Sequence, residues 1–312
     1  MNKSTVEKRI EEIVVISGKG GTGKTSLAAS FAALNGRCAI ADCDVDAADL
    51  HLVLSPRIKQ KTVFKSGREA VIRKEDCIGC GICADKCRFD AIRELRRDRR
   101  ESLFKVDPLA CEGCGVCTWM CPQGAIDFPE RICGEWMVSE TRYGPLVHAC
   151  LAIGAENSGK LVSIVRNEAK RIAGDRSLTR IIIDGPPGIA CPVIASITGA
   201  TIAVIVAEPT LSGVHDLERV VTLTKHFQIP TFVCINKWEL NPMIAGEIER
   251  GATSAGISFA GMIRYDSSVT AAQVEGVPVV EYGGSAAQDI KRIWQAIECQ
   301  LLSIGTPEII EV

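Results

Sequence analysis

The 312-residue sequence has few aromatic residues, no excess of either charge and no long apolar run. Aromatic residues make up only 5% of the chain, as expected for an α/β protein cored with Ile, Val and Ala. The formal net charge is −2, so bulk charge indicates neither a nucleic acid nor an anionic membrane as partner. No apolar stretch approaches transmembrane length. No signal peptide is recognisable, so we expect a protein of the reducing cytoplasm.

Cysteine is abundant instead, with 15 residues, and eight of them follow two copies of one spacing. Both copies read C-x₂-C-x₂-C-x₃-C, the run that holds a pair of [4Fe–4S] clusters in bacterial ferredoxins. The fourth cysteine of each run binds the cluster of the other run. The expected ligand sets are therefore Cys77, Cys80, Cys83 and Cys121 for one cluster, and Cys111, Cys114, Cys117 and Cys87 for the other.

Disulfides and zinc are the other common uses of clustered cysteines. Disulfides fit a reducing compartment poorly. Zinc sites normally use paired C-x₂-C knuckles rather than four cysteines in one tight run. The proline that usually follows the fourth cysteine is present as Pro122 but is replaced by Arg88 in the first copy. This departure affects the surroundings of one cluster and removes no ligand.

A second motif system begins near the start of the chain. The apolar run 13–17 predicts a buried parallel strand and is followed by Gly18-Lys19-Gly20-Gly21-Thr22-Gly23-Lys24-Thr25 and a helix-forming segment from Ser26. The motif G-x-x-x-x-G-K-[ST] between a strand and a helix is a P-loop in its required structural context. We expect the segment from Gly18 to Ser26 to cradle the phosphates of a nucleotide. Lys24 is expected at the β- and γ-phosphates, and Thr25 at Mg²⁺.

The loop carries an additional lysine, Lys19, directly after its first glycine. This variant resembles the deviant Walker A motif of the MinD/ParA/nitrogenase-iron-protein group of ATPases. The resemblance implies that Lys19 crosses a dimer interface and touches the nucleotide of the partner subunit. It therefore also implies an ATP-dependent homodimer.

Three further segments carry the same resemblance. Asp42-Cys43-Asp44 resembles switch I of the group, which implies that Asp44 orients the attacking water. The segment 181–188 resembles Walker B with switch II, which places Asp184 at Mg²⁺ and Gly188 at the γ-phosphate. Asn236 and Lys237 resemble the adenine-reading position.

Nearly the whole chain resembles MinD-superfamily P-loop ATPases with an inserted two-cluster ferredoxin domain. The expected fold is an α/β doubly wound, mostly parallel sheet with an inserted α+β bacterial-type ferredoxin domain. The expected division is an ATPase domain in two parts, 1–70 and 130–312, with the ferredoxin domain at 71–129. Alternating patterns predict strands at 13–17, 37–41, 180–184, 201–207, 231–236 and 257–263, and helices at 160–173, 211–227, 243–255 and 286–302.

Two features leave alternatives open. Five arginines between the cysteine runs predict a solvated basic turn, with a docking patch for an acidic redox partner as the alternative: Arg93, Arg96, Arg97, Arg99 and Arg100. The helix at 286–302 has an apolar stripe but is not rich in Lys or Arg, and the tail after it is acidic. We therefore expect the helix to pack on the sheet rather than to bind a membrane.

The seven remaining cysteines have less defined roles. Cys38, Cys234 and Cys299 lie in apolar surroundings and are predicted to be small core residues, with Cys43 pointing inward. A cluster bridging two subunits through Cys150 and Cys191 is an open alternative, although these two lack a ligand-type spacing.

The sequence thus predicts an ATP-hydrolysing iron–sulfur protein that uses ATP, Mg²⁺ and two [4Fe–4S] clusters and passes electrons to a redox partner. The rival hypothesis is an iron–sulfur cluster carrier or assembly ATPase of Mrp type, in which the clusters are cargo for a recipient protein. A third class, spatial positioning on a membrane or DNA, needs a surface that the sequence does not indicate.

Overall fold

The structure is a computed structural model that describes residues 10–98, 101–152, 154–155 and 158–304. Its strands, in chain order, are β1 (Glu11–Ser17), β2 (Ala39–Asp42), β3 (Arg57–Arg68), β4 (Val71–Ile72), β5 (Ile92–Asp98), β6 (Glu101–Val106), β7 (Ile126–Asp127), β8 (Glu130–Thr141), β9 (Gly144–Leu151), β10 (Arg180–Pro187), β11 (Ile202–Ala207), β12 (Thr231–Asn236) and β13 (Ser258–Ile263).

The helices complete the α/β pattern. In chain order they are α1 (Lys24–Asn35), α2 (Leu50–Leu54), α3 (Ile82–Asp85), α4 (Val116–Met120), α5 (Ser158–Asp175), α6 (Cys191–Ile197), α7 (Leu211–His226), α8 (Pro242–Ser254), α9 (Ser268–Glu275), α10 (Val279–Tyr282) and α11 (Ser285–Ile304), with a 3₁₀ turn at Trp238–Leu240. Within the described residues, no helix combines the length and apolar character needed to cross a membrane.

The chain forms a nine-stranded sheet in the order β13-β12-β11-β1-β10-β2-β9-β8-β3. Each neighbouring pair from β13 to β9 is parallel. The interior strand β1 carries Ile13, Val14, Val15 and Ile16 without solvent exposure, as expected for a parallel strand covered on both faces. The predicted mostly parallel α/β sheet is confirmed.

One large apolar core joins the sheet to α1 and α11. Ile13 and Val15 pack in it with Phe31 of α1, whose ring lies 4.9 Å from that of Trp294 between centroids. The apolar stripe of α11 is buried in the same core: Ile290, Ile293, Trp294, Ile297 and Leu301. The prediction that this helix packs on the sheet is therefore confirmed.

The chain divides into two compact units. The first, called here the nucleotide unit, contains the chain up to Lys61, Trp136–Cys150 and the chain from Ser158. The second, called the cysteine unit, contains Thr62–Glu135 and Leu151–Asn157. The segment 71–129, predicted as an inserted domain, lies within the cysteine unit.

The cysteine unit is built from short elements around a small core. β4 pairs antiparallel with β7, and β5 pairs antiparallel with β6 as a hairpin. The core contains Ile92, Phe104 and Ile126, with several cysteines packed against it. The basic run lies on this hairpin, but Arg99 and Arg100 are outside the described residues.

The structure also departs from the sequence predictions. Cys299 is exposed rather than part of the core, because it lies on α11 away from the buried stripe. Cys38, Cys43 and Cys234 are buried, as expected. Strands β3, β8 and β9 were not predicted; β3 is mostly exposed and so lacks the apolar pattern of a buried strand.

Candidate functional site

The P-loop joins β1 to α1 and is fixed by β12. Gly23 caps α1 in the left-handed region, with φ 94°, which glycine adopts at little cost. A Cβ atom on Gly23 would lie 2.4 Å from Asn236 Nδ2. That amide donates a hydrogen bond of 2.8 Å to the Thr22 carbonyl oxygen. Asn236, predicted to read adenine, therefore holds the phosphate loop in this structure.

A cavity of about 770 Å³ lies beside the loop, within the size range of small-molecule sites. It is lined by P-loop residues, by the switch I segment with Asp44, and by Pro186 and Pro187 after the Walker B strand residues. The P-loop residues in its wall are Gly20, Gly21, Gly23, Lys24, Thr25 and Ser26. Gly18, Lys19 and Thr22 line a smaller neighbouring cavity.

Lys24 is buried, with 5% of its side chain exposed, and its Nζ lies 3.8 Å from Asp44 Oδ2. Burial raises the pKa of Asp44, and Lys24 opposes that rise. An ammonium taken out of water needs a close anionic partner. This loose ion pair leaves the Lys24 ammonium available to phosphate oxygens at the start of α1.

Asp184 lies in β10 and is fully buried. Neither of its carboxylate oxygens has a hydrogen-bond partner among the described residues. Burial raises the pKa of Asp184 to about 7, against the lowering effects of the nearby Thr25 hydroxyl and of Lys24. The Thr25 hydroxyl lies near the carboxylate but does not form a hydrogen bond of regular geometry with it, so both oxygens remain unpartnered within the described part of the chain. Two buried, unpartnered carboxylate oxygens fit a bound cation. Mg²⁺ is typically held by one or two protein groups together with substrate phosphates.

Asp42, which was not predicted as a site residue, stands opposite Asp184 in the parallel register of β2 and β10. Its carboxylate accepts hydrogen bonds from Leu50 N at 3.1 Å and Asp44 N at 3.3 Å. Burial, together with the charge of Asp184, raises its pKa well above the usual range. Asp42 thereby connects switch I to α2. Its position as the last residue of a buried strand was the available sequence signal.

Two lysines share one carboxylate at the end of β11. Lys19 Nζ lies 3.0 Å from Glu208 Oε2, and Lys237 Nζ lies 2.8 Å from Glu208 Oε1. Glu208 was not predicted as a site residue. The available sequence signal was an acidic residue directly after a buried strand, at the carboxyl ends of the parallel strands, where the P-loop also lies.

Two further contacts surround the P-loop. Gly188 N donates to the Ser17 carbonyl oxygen at 2.8 Å and so connects switch II to the end of β1. Gln273, another residue that the sequence did not indicate, lines the large cavity and donates from Nε2 to Ser26 Oγ at 3.0 Å.

The cysteine unit contains two cavities, each lined by four cysteines. Three members of one run share each cavity with the fourth member of the other run. One is lined by Cys77, Cys80, Cys83 and Cys121. The other is lined by Cys111, Cys114, Cys117 and Cys87. These are the two groupings expected for crossed ferredoxin ligand sets.

The surroundings of these thiols are apolar, with a few backbone donors. Burial raises the pKa of Cys83 to about 11 and also raises that of Cys117. Ala91 N donates to Cys87 Sγ at 3.4 Å, and Ala125 N donates to Cys121 Sγ at 3.3 Å. Across the described ranges, no three His, Cys, Asp or Glu side chains converge as a site for a single metal ion.

Cys150 and Cys191 are both exposed, on β9 and at the start of α6. A cluster bridging two subunits through them stays a prediction.

The family of the chain follows from comparison with known proteins. The model of the CobQ/CobB/MinD/ParA nucleotide binding domain matches residues 13–279. The chain belongs to this family. It is an ATPase of the MinD/ParA type, and the predicted resemblance to that group is confirmed. ATP and Mg²⁺ fit a MinD-like ATPase, and one similar solved structure is the MinD of Pyrococcus horikoshii complexed with Mg-ADP.

The curated relatives include two proteins of Methanocaldococcus jannaschii. Uncharacterized protein MJ0578 is 36% identical over 236 residues, covering 74% of this chain and 80% of the relative. Uncharacterized protein MJ0579 is 25% identical over 240 residues, covering 75% of this chain and 82% of the relative. The MinD/ParA-type ATPase described here therefore shares most of its length with both.

Solved structures show the same fold. The Pyrococcus furiosus cell division ATPase MinD is 18% identical, with a TM-score of 0.53, and the match covers 93% of this chain and 99% of that one. A Cyanothece McdA variant in complex with ATP is 16% identical, with a TM-score of 0.53, and the match covers 97% and 100% of the two chains.

Proposed function

We propose that this MinD/ParA-type ATPase couples its nucleotide state to electron transfer through two [4Fe–4S] clusters held by the cysteine unit. The observation that carries the proposal is the pair of four-cysteine cavities with crossed membership. None of the relatives named above has iron or sulfur in its name, so the cysteines alone support the cluster assignment.

The cysteine unit fits such clusters in its chemistry. Each cavity offers four thiol ligands and apolar walls, which include Ile72 and Phe104 around the first and Ile92 and Phe128 around the second. Donors to Cys87 and Cys121 sulfur would stabilise thiolates, because a hydrogen bond to the charged form favours it. Bound clusters would supply one-electron chemistry at potentials that hydrogen bonds and exposure tune.

The nucleotide unit would perform phosphoryl transfer mainly by positioning and charge neutralisation. Lys24 would neutralise the β- and γ-phosphates, while Thr25 and Asp184 would hold Mg²⁺. Asp44, on the cavity wall, would orient the attacking water. Gly188, bonded to the end of β1, would place a backbone amide segment near the γ-phosphate.

We further propose that ATP drives formation of a homodimer in which Lys19 of each subunit reaches the nucleotide of the other. Lys19 is the residue that distinguishes this loop from an ordinary P-loop. A relative supports action through a protein partner, since one solved structure is a MinC:MinD cell division protein complex from Aquifex aeolicus. For this chain, the proposed partner is a redox protein.

Coupling between the two units would be reciprocal. If nucleotide shifts the reduction equilibrium, reduction must shift nucleotide affinity by the same free energy. Asp44 and Asp184 lie on either side of the cysteine runs in sequence. The chain segments leading into and out of the cysteine unit therefore follow one switch and precede the other.

The test uses anaerobically purified full-length protein. We expect about eight irons per chain, as two four-iron clusters require. We also expect the reduction potential to differ by about 40–130 mV between the ADP form and the Asp44→Asn variant with ATP, which corresponds to a coupling of about 1–3 kcal/mol. Lys24→Ala serves as the control that should give no nucleotide response.

Two outcomes would count against the proposal. Zinc in place of iron would reject the clusters. Eight irons with a potential indifferent to nucleotide would reject redox coupling and favour the Mrp-type carrier, for which transfer of iron to a cluster-free acceptor would be the next measurement.

A further inference from the structure

The ion pair between Lys19 and Glu208 requires an explanation. If Lys19 acts on the nucleotide of a second subunit, its ammonium must leave its own chain. In the single chain, that ammonium lies 3.0 Å from Glu208 Oε2. Lys19 thus has a partner that it would have to leave before it could act across an interface.

Glu208 is placed to remain charged. Burial alone would raise its pKa, but hydrogen bonds and charge from Lys237 and Lys19 bring the pKa below its ordinary value. Only 13% of its side chain is exposed, against 33% for Lys19 and 32% for Lys237. The carboxylate is therefore the most enclosed member of this group of three charges.

The backbones that carry these side chains are held in place. Thr210 caps α7 by accepting a hydrogen bond from Gly213 N, and a Cβ atom on Gly213 would lie 2.3 Å from the Glu208 carbonyl oxygen. Ser17 Oγ donates to the Lys19 carbonyl oxygen at 2.6 Å. We therefore expect the Lys19 ammonium to move by rotation of its side chain alone, while the backbones of Lys19 and Glu208 stay in place.

Lys237 makes the release of Lys19 feasible. Removing one member of a buried ion pair is costly because the other charge is left without compensation. Here Glu208 keeps Lys237 at 2.8 Å when Lys19 departs. The carboxylate therefore remains paired in both positions of Lys19, and the bridge can open and close without an isolated buried charge.

We propose that Glu208 is a positioning residue that holds Lys19 in its own chain until ATP-dependent pairing of two copies draws the lysine to the partner's nucleotide. This inference rests on the proposed role of Lys19 across the dimer. It adds that the bridge opposes pairing, so that dimerisation begins only when the phosphates of ATP compete successfully with Glu208.

A purely structural role of Glu208 predicts a different result. If the carboxylate only fixes Lys237 and the segment after β12, its loss would weaken ATP binding and leave dimerisation of the ATP-bound chain unchanged or weaker. If Glu208 instead acts as a latch, meaning that it retains Lys19 in its own chain, neutralising the carboxylate should give tighter dimerisation. The two roles therefore move the dimer dissociation constant in opposite directions.

The experiment measures that constant by analytical ultracentrifugation with a non-hydrolysable ATP analogue at saturation. A partly exposed ion pair is worth about a two- to fivefold factor, and two bridges open per dimer, so Glu208→Gln should tighten the dimer by about 4- to 25-fold. Glu218→Gln is the matched control, since it removes the same charge from an exposed position on α7 and should leave the constant unchanged.

A second variant, Lys237→Met, should change the dimer dissociation constant in the opposite direction. Lys237→Met leaves Glu208 with Lys19 alone, so release of Lys19 would strand the carboxylate. Dimerisation should weaken, with ATP affinity measured separately in dilute, monomeric protein. In nucleotide-free protein, an amine-labelling reagent followed by mass spectrometry should modify Lys19 faster in Glu208→Gln than in the wild type.

The outcomes distinguish failure of the Glu208 latch from failure of the proposed dimer. If neither wild type nor Glu208→Gln dimerises with the analogue, the proposed dimer itself fails. If the wild type dimerises and Glu208→Gln has an equal or weaker constant, the latch is rejected while the dimer stands. Equal labelling of Lys19 in the two proteins would also reject the latch.

Discussion

The nucleotide unit and the cysteine unit place their functional side chains in contrasting ways. In the nucleotide unit, the core between the sheet and its helices is formed by apolar residues such as Ile13, Phe31 and Trp294. The site lies outside this core, at the carboxyl ends of the parallel strands. In the cysteine unit, Cys83 belongs to the core itself. Four further cysteines pack against that core: Cys87, Cys111, Cys117 and Cys121.

This contrast indicates how much each fold depends on its ligand. In the nucleotide unit, the P-loop is supported by a large core that consists mainly of apolar side chains and includes none of the proposed nucleotide ligands. A small core in which candidate ligands replace apolar side chains has little other material to stabilise it. Binding energy at such a site is also folding energy. We therefore expect nucleotide loss to leave its unit folded, whereas ligand loss would destabilise the cysteine unit.

The largest effect is expected from Lys24→Ala. Removing a buried cation that we propose binds the phosphates should weaken ATP binding by about 2–5 kcal/mol, or roughly 30- to several-thousandfold. Isothermal calorimetry measures the affinity, and iron content measured on the same sample should stay at the wild-type value. Loss of iron in this variant would show that the units are not independent in the way their cores indicate.

An intermediate effect, measured as iron content, is expected from paired cysteine substitutions. If the ligand sets are crossed, Cys121→Ser combined with Cys80→Ser affects one cavity and should leave about four irons per chain. Cys121→Ser combined with Cys114→Ser affects both cavities and should leave about none. Uncrossed sets would give the opposite pair of results. The control, Cys299→Ser, changes an exposed cysteine of α11 and should keep all the iron.

The same contrast explains how much the sequence could predict. For the nucleotide unit, strand 231–236 was predicted with the bounds that the structure gives to β12. The run Thr-Phe-Val-Cys-Ile is buried throughout, and buried parallel strands leave a continuous apolar signal. The exposed strand β3 leaves no such signal, because its side chains include Lys59, Lys61 and Lys65 on an edge of the sheet.

Site residues that depend on strand order were harder to predict. Asp42 gains its environment from Asp184 because β2 and β10 are neighbours, although these residues are far apart in sequence. Glu208 meets Lys19 and Lys237 because β11 lies between β1 and β12. A motif within one segment, such as the P-loop or a cysteine run, is visible in sequence. A contact between the ends of separate strands is not visible until the sheet order is known.

The smallest effect concerns acid stability, which should differ between the two units. His148 of β9 is buried in the nucleotide unit, and its Nε2 lies 2.9 Å from Ser139 Oγ. Burial, followed by the nearby charges of His51 and Lys61, lowers the pKa of His148 from 6.5 to about 4. The His51 ring is stacked on it, with centroids 6.4 Å apart.

The sign of the pH effect follows from that lowered pKa. Between pH 6.5 and 4 the unfolded chain binds a proton at His148 and the folded chain does not, so the free energy of unfolding falls as pH falls. The loss should be about 1 kcal/mol between pH 7.5 and 5.5 and at most about 3 kcal/mol by pH 4. His148→Gln keeps a nitrogen for Ser139 and should remove this dependence, while the exposed His226→Gln should not. Denaturant unfolding followed by circular dichroism at pH 7.5 and 5.5 measures the change in the free energy of unfolding. The visible absorbance of any bound cluster reports on the cysteine unit separately. An equal pH dependence in wild type and His148→Gln would mean that the acid sensitivity of the nucleotide unit has another source.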